Sequence, residues 1–189
     1  MKVLKLQKGR KMEIHIRQEN PSDYSTVFEI VERAFEGKAF SEQTEHFLVE
    51  KLRKSPSFIA ELSLVAEYEG EVVGHILLTK IKIKNEEETF DSLTLAPVSV
   101  KPGFQYKGIG GKLIRYAHER AKDLGFKSVV LLGHEKYYPR FGYEMTSRYN
   151  IELPFKAAEA NCMIGELVED GLKGVSGMVE YDRAFFETT

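Results

Sequence analysis

The stretch Leu95-Ala96-Pro97-Val98-Ser99-Val100-Lys101-Pro102-Gly103-Phe104-Gln105-Tyr106-Lys107-Gly108-Ile109-Gly110-Gly111-Lys112-Leu113 decides the fold. A β-rich run, Phe90 to Val100, passes into a short glycine-rich turn, and the turn opens a helix. Ile109, Leu113, Ala117, Ala121 and Leu124 recur at helical spacing, with Lys112, Arg115, Glu119, Lys122 and Asp123 away from them. Gly125 is placed as the C-cap. The first backbone N–H groups of such a helix have no partner within it. The aligned peptide dipoles add the equivalent of roughly half a positive charge. A phosphate is the natural ligand of that end. Glycines at 108, 110 and 111 let it approach the main chain without meeting a Cβ.

Two familiar phosphate loops fail on residues. A Walker A loop needs a glycine five positions before Gly111-Lys112 and a hydroxyl after it; the sequence has Tyr106 and Leu113. A dinucleotide fingerprint needs a third glycine where Leu113 stands. ATP and NAD are thereby disfavoured. Pro97 inside the preceding strand is unusual, because proline cannot donate to a ladder; it marks an edge or a bulge.

Outward from this stretch, Ile14 and Ile16 alternate in a first strand, Glu13 to Arg17. Asn20-Pro21-Ser22-Asp23 starts a helix carrying Val27, Ile30, Val31 and Ala34 and ending near Gly37. A second helix opens at Ser41 or Glu42, with Phe47, Leu48 and Leu52 on one side. Phe58 to Tyr68 and Val72 to Ile83 form a hairpin about Glu69-Gly70-Glu71. Ser128 to Leu132 reads as a buried strand. Gly142 to Met145 and Cys162 to Val168 are weaker strands, and the tail ends in Tyr181 to Phe186. Strands and helices alternate, but the hairpin interrupts them. The fold class is α/β, of the mixed α+β kind, with helices on both faces of a mixed sheet. Residues 12–189 are expected to form one domain, with 1–11 an N-terminal extension.

Composition narrows the function classes. Basic and acidic residues number 27 and 29, for a net charge of −2, so no basic field is available to hold nucleic acid. No segment approaches ~20 consecutive apolar residues, so no membrane span is expected. The single cysteine, Cys162, rules out an internal disulfide, fits a cytoplasmic setting, and reads as a small buried apolar residue. The five histidines, at 15, 46, 75, 118 and 134, show no metal-ligand spacing, and no metal is expected. His118 reads as facing solvent or the side of its helix, and His134 as the histidine nearest the site.

The pattern Gln105-x-x-Gly108-x-Gly110 after Pro97-Val98-Ser99-Val100 resembles the GCN5-related N-acetyltransferase (GNAT) superfamily. Val129-Val130-Leu131-Leu132-Gly133, then Tyr137-Tyr138-Pro139-Arg140-Phe141-Gly142-Tyr143, are similar to its bacterial YhbS-type branch, as are Glu166-Leu167 and Val179-Glu180-Tyr181. The likeness covers residues 13–186, and its specific part is 95–143.

The resemblance implies a mostly antiparallel twisted sheet whose fourth and fifth strands splay apart. It implies acetyl-CoA as co-substrate, held by Val98, Ser99 and Val100 along the pantetheine and by Gln105, Tyr106, Lys107, Gly108, Ile109, Gly110 and Gly111 at the pyrophosphate. Lys112 stands one turn into the helix, where it reaches a phosphate or is simply a surface lysine. The implied reaction is direct attack of a primary amine, of a small molecule or a protein, on the thioester. A preoriented N–H holds the oxyanion, and a tyrosine hydroxyl meets the leaving sulfur. Tyr138, four residues before Gly142, matches that tyrosine, and Tyr137 is its fallback.

Glu36, Glu67, Asp91 and Glu144 are bases by type only. The acceptor site falls near Phe35 to Phe40 and after Met145, and the resemblance also allows a homodimer. A non-catalytic acyl-CoA sensor shares the loop and differs from an enzyme in what Tyr138 does.

Overall fold

The computed structural model describes residues 12–38, 41 and 43–187. The extension 1–11, together with Ala39, Phe40 and Glu42 of the expected acceptor and helix-start segments, lies outside the described residues. The elements run β1 (His15–Gln18), α1 (Tyr24–Phe35), α2 (Glu45–Arg53), β2 (Ser63–Tyr68), β3 (Glu71–Lys84), β4 (Thr89–Val100), α3 (Ile109–Asp123), β5 (Ser128–Leu132), β6 (Tyr143–Met145), β7 (Ile151–Glu152), β8 (Cys162–Glu166) and β9 (Gly177–Glu180). Among the described residues these strands form one sheet in the order β1-β2-β3-β4-β5-β8-β6, with β9 joining β3 and β7. Pairing is antiparallel except for β4 with β5 and β7 with β9.

The hairpin of β2 and β3 turns on Glu69 and Gly70, both with positive φ (51° and 82°), which is the two-residue geometry that follows strand twist. Before α1, the Asn20 N–H donates to Asp23 Oδ2 at 2.7 Å, closing the turn at Pro21. One face of the sheet packs on α3 through Leu64, Ile76, Leu78, Leu93 and Leu95 against Ile109, Leu113, Ile114 and Ala117. The other packs on α1 and α2 through Val65 and Leu77 against Val27, Ile30, Val31, Val49 and Leu52. A third cluster gathers Ile83, Val130, Ile164 and Val179 beside β9.

Several expectations are corrected. The strand expected from Phe58 begins at Ser63, because a 3-10 turn over Ala60–Leu62 precedes it. The α2 helix begins at Glu45, whose carboxylate accepts from the Ser41 hydroxyl at 2.6 Å; it buries His46, Val49 and Leu52 and leaves Phe47 exposed. Leu124 is exposed past the end of α3, and Gly125 takes φ +88° as the expected cap. His118 is buried in α3, with Nε2 2.8 Å from the Tyr143 hydroxyl. Cys162 is half-buried at the head of β8. Burial and the nearby Glu159 raise its pKa, so the thiol stays protonated. β7 and β9 were not expected at all, since the first has two residues and the second opens on Gly177.

Candidate active site: a splayed strand leading into a helix N-terminus

Pro97 marks a bulge. Ile76 pairs with Val98 and Leu78 with Leu95, so Leu77 alone opposes Ala96 and Pro97. The Ala96–Pro97 peptide is cis. Across β4, the parallel partner β5 pairs only at Leu93 and Thr94. From Leu95 to Val100, β4 is therefore bonded to β3 on one edge and, among the described residues, has no strand on the other. That free edge of N–H and C=O groups is a ready template for an extended ligand.

The edge leads into the glycine turn. The Gln105 side chain donates to the Val100 carbonyl at 3.1 Å and braces the turn against β4. Gly103, Tyr106 and Gly108 take φ of 87°, 62° and 83°. Gly108 is the N-cap of α3 and has no side chain with which to close the helix end. The Lys112 N–H is the first to bond back, to the Gly108 carbonyl at 3.1 Å. The amides of Ile109, Gly110 and Gly111 precede it and remain open. Lys107, Lys112 and Arg115 surround this end, with Lys107 Nζ 5.2 Å from the Phe104 ring centroid and Arg115 donating to the Gly111 carbonyl. Tyr106 is 99% exposed, and Lys112 is exposed one turn in.

The two tyrosines part company. A Cβ at Gly110 would lie 3.4 Å from the Tyr137 hydroxyl and 3.7 Å from Val100 Cγ2, so Tyr137 overhangs the first turn of α3 beside the end of β4. Its ring carries the Arg140 guanidinium at 4.7 Å. Tyr138 is buried beside it, packed edge-on against Tyr137 and Tyr143 and tight against Gly133 at the end of β5. Burial raises both phenols, Tyr138 more strongly, so Tyr138 keeps its proton and remains a hydrogen-bond donor. The structure thus brings Val100, Gln105, the glycine turn and Tyr137 together, with Val98 on the same edge of β4 and Tyr138 packed against Tyr137. Ser99 contributes only backbone to it, because its side chain points to the α1 face, in register with Val65 and His75.

Three of the four carboxylates offered as bases are engaged elsewhere. Glu67 takes a double hydrogen bond from Arg17, at 2.9 and 3.2 Å, and that partner lowers its pKa. Glu144 bonds Arg148 and the Tyr149 hydroxyl, and Asp91 bonds Lys82 at 2.9 Å. Glu36 lines a shallow pocket between α1 and α2 with Glu32, Arg33, Gln43 and His46. His134 is exposed in the loop after β5. Among the described residues no group of three or more His, Cys, Asp and Glu is arranged to hold a metal, and no helix is long and apolar enough to cross a membrane.

Sequence reasoning missed two buried polar groupings, one of two residues and one of four. One is His118 with Tyr143, where burial depresses the imidazole to about 4 and leaves it neutral. The other joins Glu19, Arg53, Ser63 and His75. The aromatic run 137–143 signals the first; nothing local signals the second, whose members are scattered along the chain.

The model of the family described as Acetyltransferase (GNAT) domain matches residues 15–146. The chain belongs to the GNAT acetyltransferase family. It is 42% identical over 123 residues to the uncharacterized N-acetyltransferase YjhQ of Escherichia coli (strain K12), a match that spans 65% of this chain and 65% of that relative. It is 29% identical over 171 residues to the uncharacterized N-acetyltransferase YhbS of the same strain, covering 90% and 97% of the two chains. The solved structure of Escherichia coli YhbS in complex with CoA superposes with a TM-score of 0.85 at 25% identity, over 97% and 98% of the chains. A GNAT family acetyltransferase from Brucella melitensis in complex with acetyl-CoA gives 0.74 at 34% identity, over 92% and 99%. The mixed sheet with its parted β4 and β5 is the GNAT fold that the resemblance implied.

Proposed function

We propose that this GNAT domain, spanning residues 12–189, transfers the acetyl group of acetyl-CoA to a primary amine of a small molecule or protein, by direct attack in a ternary complex in the cytoplasm. The observation that carries the reading is the free edge of β4 running into the open N-terminus of α3. Pantetheine, a chain of amides, pairs along Val98 to Val100 as an added strand does. The pyrophosphate rests on the amides of Gln105 to Gly111, where net charge does not attract it but local geometry does. That the two similar structures are complexes with CoA and with acetyl-CoA supports acetyl-CoA as the ligand.

In the reaction an amine nitrogen forms a bond to the thioester carbon and the C–S bond breaks. A β4 N–H holds the developing oxyanion. Tyr138, held protonated by burial, donates to the leaving sulfur, and the proton lost by the amine restores it. Tyr137 faces the cofactor nearer the first turn of α3. Replacing Tyr138 by Phe is expected to leave acetyl-CoA affinity, measured by calorimetry, unchanged and to slow transfer by about 100-fold. Unchanged turnover removes Tyr138 from the mechanism, and absence of acetyl-CoA binding to the wild-type chain overturns the function.

A further inference from the structure

The segment that must present the Val98 and Val100 amides is anchored on one side only, and just past a bulge that interrupts its ladder. What fixes it is found on the face turned towards α1. There His75 on β3 stands directly opposite Ser99 on β4. His75 is 0% and Ser99 3% exposed, and both carry a sealed polar atom with no partner: His75 Nδ1 and Ser99 Oγ.

The state of Nδ1 follows from the groups behind it. Arg53 grips Glu19 through both Nε and Nη2. The Ser63 hydroxyl gives its one proton to Glu19 Oε2 at 2.6 Å. Ser63 Oγ also lies 3.3 Å from His75 Nε2 and has only lone pairs left to offer there, so Nε2 carries the hydrogen. Burial keeps the ring neutral. Nδ1 is then a bare lone pair in a sealed interior, and an unmet buried acceptor of this kind destabilises the fold. Side chains directly opposite on paired strands have Cβ atoms roughly 4.5–5.5 Å apart, a gap that one water spans.

We propose that His75 Nδ1 and Ser99 Oγ hold one internal water between them, and that this bridge positions the β4 segment on which acetyl-CoA is read. The water donates to Nδ1 and shares its remaining bonds with Ser99. It ties the free-edged part of β4 through His75 and Ser63 to the Glu19–Arg53 ion pair between the end of β1 and α2. His75 is thus a positioning residue; it touches neither cofactor nor acceptor. The functional half of the inference rests on the acetyl-CoA reading above, and the structural half does not.

The test has two arms. A high-resolution crystal structure is expected to show a water within hydrogen-bond distance of both atoms, and 15N spectra of the imidazole to show the neutral Nε2–H tautomer. A dry gap, or His75 protonated on Nδ1, overturns the bridge whether or not acetyl-CoA binds. The second arm compares Ser99→Ala with Ser92→Ala. Ser92 is equally buried on β4 but before the bulge, and bonds Ser128 at 2.7 Å and its carbonyl at 3.0 Å. Ser99→Ala is expected to weaken acetyl-CoA binding by roughly tenfold, and Ser92→Ala to lower the melting temperature with acetyl-CoA affinity within about twofold. Equal effects of the two on acetyl-CoA affinity, or none from Ser99→Ala, overturn the positioning role.

Discussion

Gly133 offers a way to move Tyr138 without altering its chemistry. A Cβ there would stand 2.3 Å from Tyr138 Cε2, 2.7 Å from its Cδ2 and 2.9 Å from Leu131 Cδ1. Contacts below 3.0 Å do not survive, so Gly133→Ala must push the Tyr138 ring aside. The ring has little room, since Tyr137 and Tyr143 pack on it with centroids 5.2 and 5.6 Å away. Overpacking of this kind costs about 2 kcal/mol. For a chain of this size that lowers the melting temperature by roughly 4–8 °C. A shift of about 1 Å at a catalytic group costs on the order of 100-fold in rate. Steady-state transfer, followed by release of free thiol, should therefore show a large fall in kcat with acetyl-CoA affinity retained. The decisive comparison is the double variant. If Gly133→Ala acts by displacing the Tyr138 hydroxyl, adding it to Tyr138→Phe costs little more in kcat. Losses that multiply would refute the reasoning, and so would a Gly133→Ala enzyme with unchanged kcat.

Other consequences are checked in solution. Arg53→Ala strands the buried Glu19 carboxylate and should cost about 3–5 kcal/mol, read from urea unfolding; a loss below about 1 kcal/mol would contradict the buried pairing. His75 and His118 are both held neutral by burial, with folded pKa values of about 4 against 6.5 for an ordinary histidine. The unfolded chain therefore binds more protons between these values, and stability is full above pH 6.5 and falls as pH drops towards 4. Denaturation midpoints at pH 7 and pH 5 should show this. His118→Gln, which keeps a partner for the Tyr143 hydroxyl without a titrating ring, should flatten the slope. Gly108→Ala meets no neighbour but must hold φ at +83°, so it should cost about 1 kcal/mol of stability and weaken acetyl-CoA binding at the helix end.

The strand-turn-helix from Phe90 to Asp123 was legible because each of its signals is local. Proline in a strand forced a bulge, positive-φ glycines forced a turn, and helical spacing from Ile109 fixed the face of α3. What was not legible depended on distant partners. His118 is indistinguishable from a surface histidine until Tyr143 closes over it from β6. Ser63 and His75 belong to strands whose pattern is apolar, and only the approach of Glu19 and Arg53, 44 and 10 residues before Ser63, makes them a network. β7 and β9 are too short for a period of two to show. Tyr137 and Tyr138 are adjacent in sequence, and only the packing of Tyr138 on Gly133 and the reach of Tyr137 over Gly110 separate their surroundings.

The central claim is that the free edge of β4 and the N-terminus of α3 serve amine acetylation. Its most direct test is acetyl-CoA turnover against a panel of primary amines, small molecules and peptides together, read by free thiol and by mass of the acetylated product. At least one amine should gain 42 Da (~ the mass of an acetyl group replacing hydrogen) at a rate that Tyr138→Phe lowers sharply. Binding of acetyl-CoA with no thiol release above its hydrolysis, across the whole panel, would contradict the account and leave a domain that senses acyl-CoA without using it.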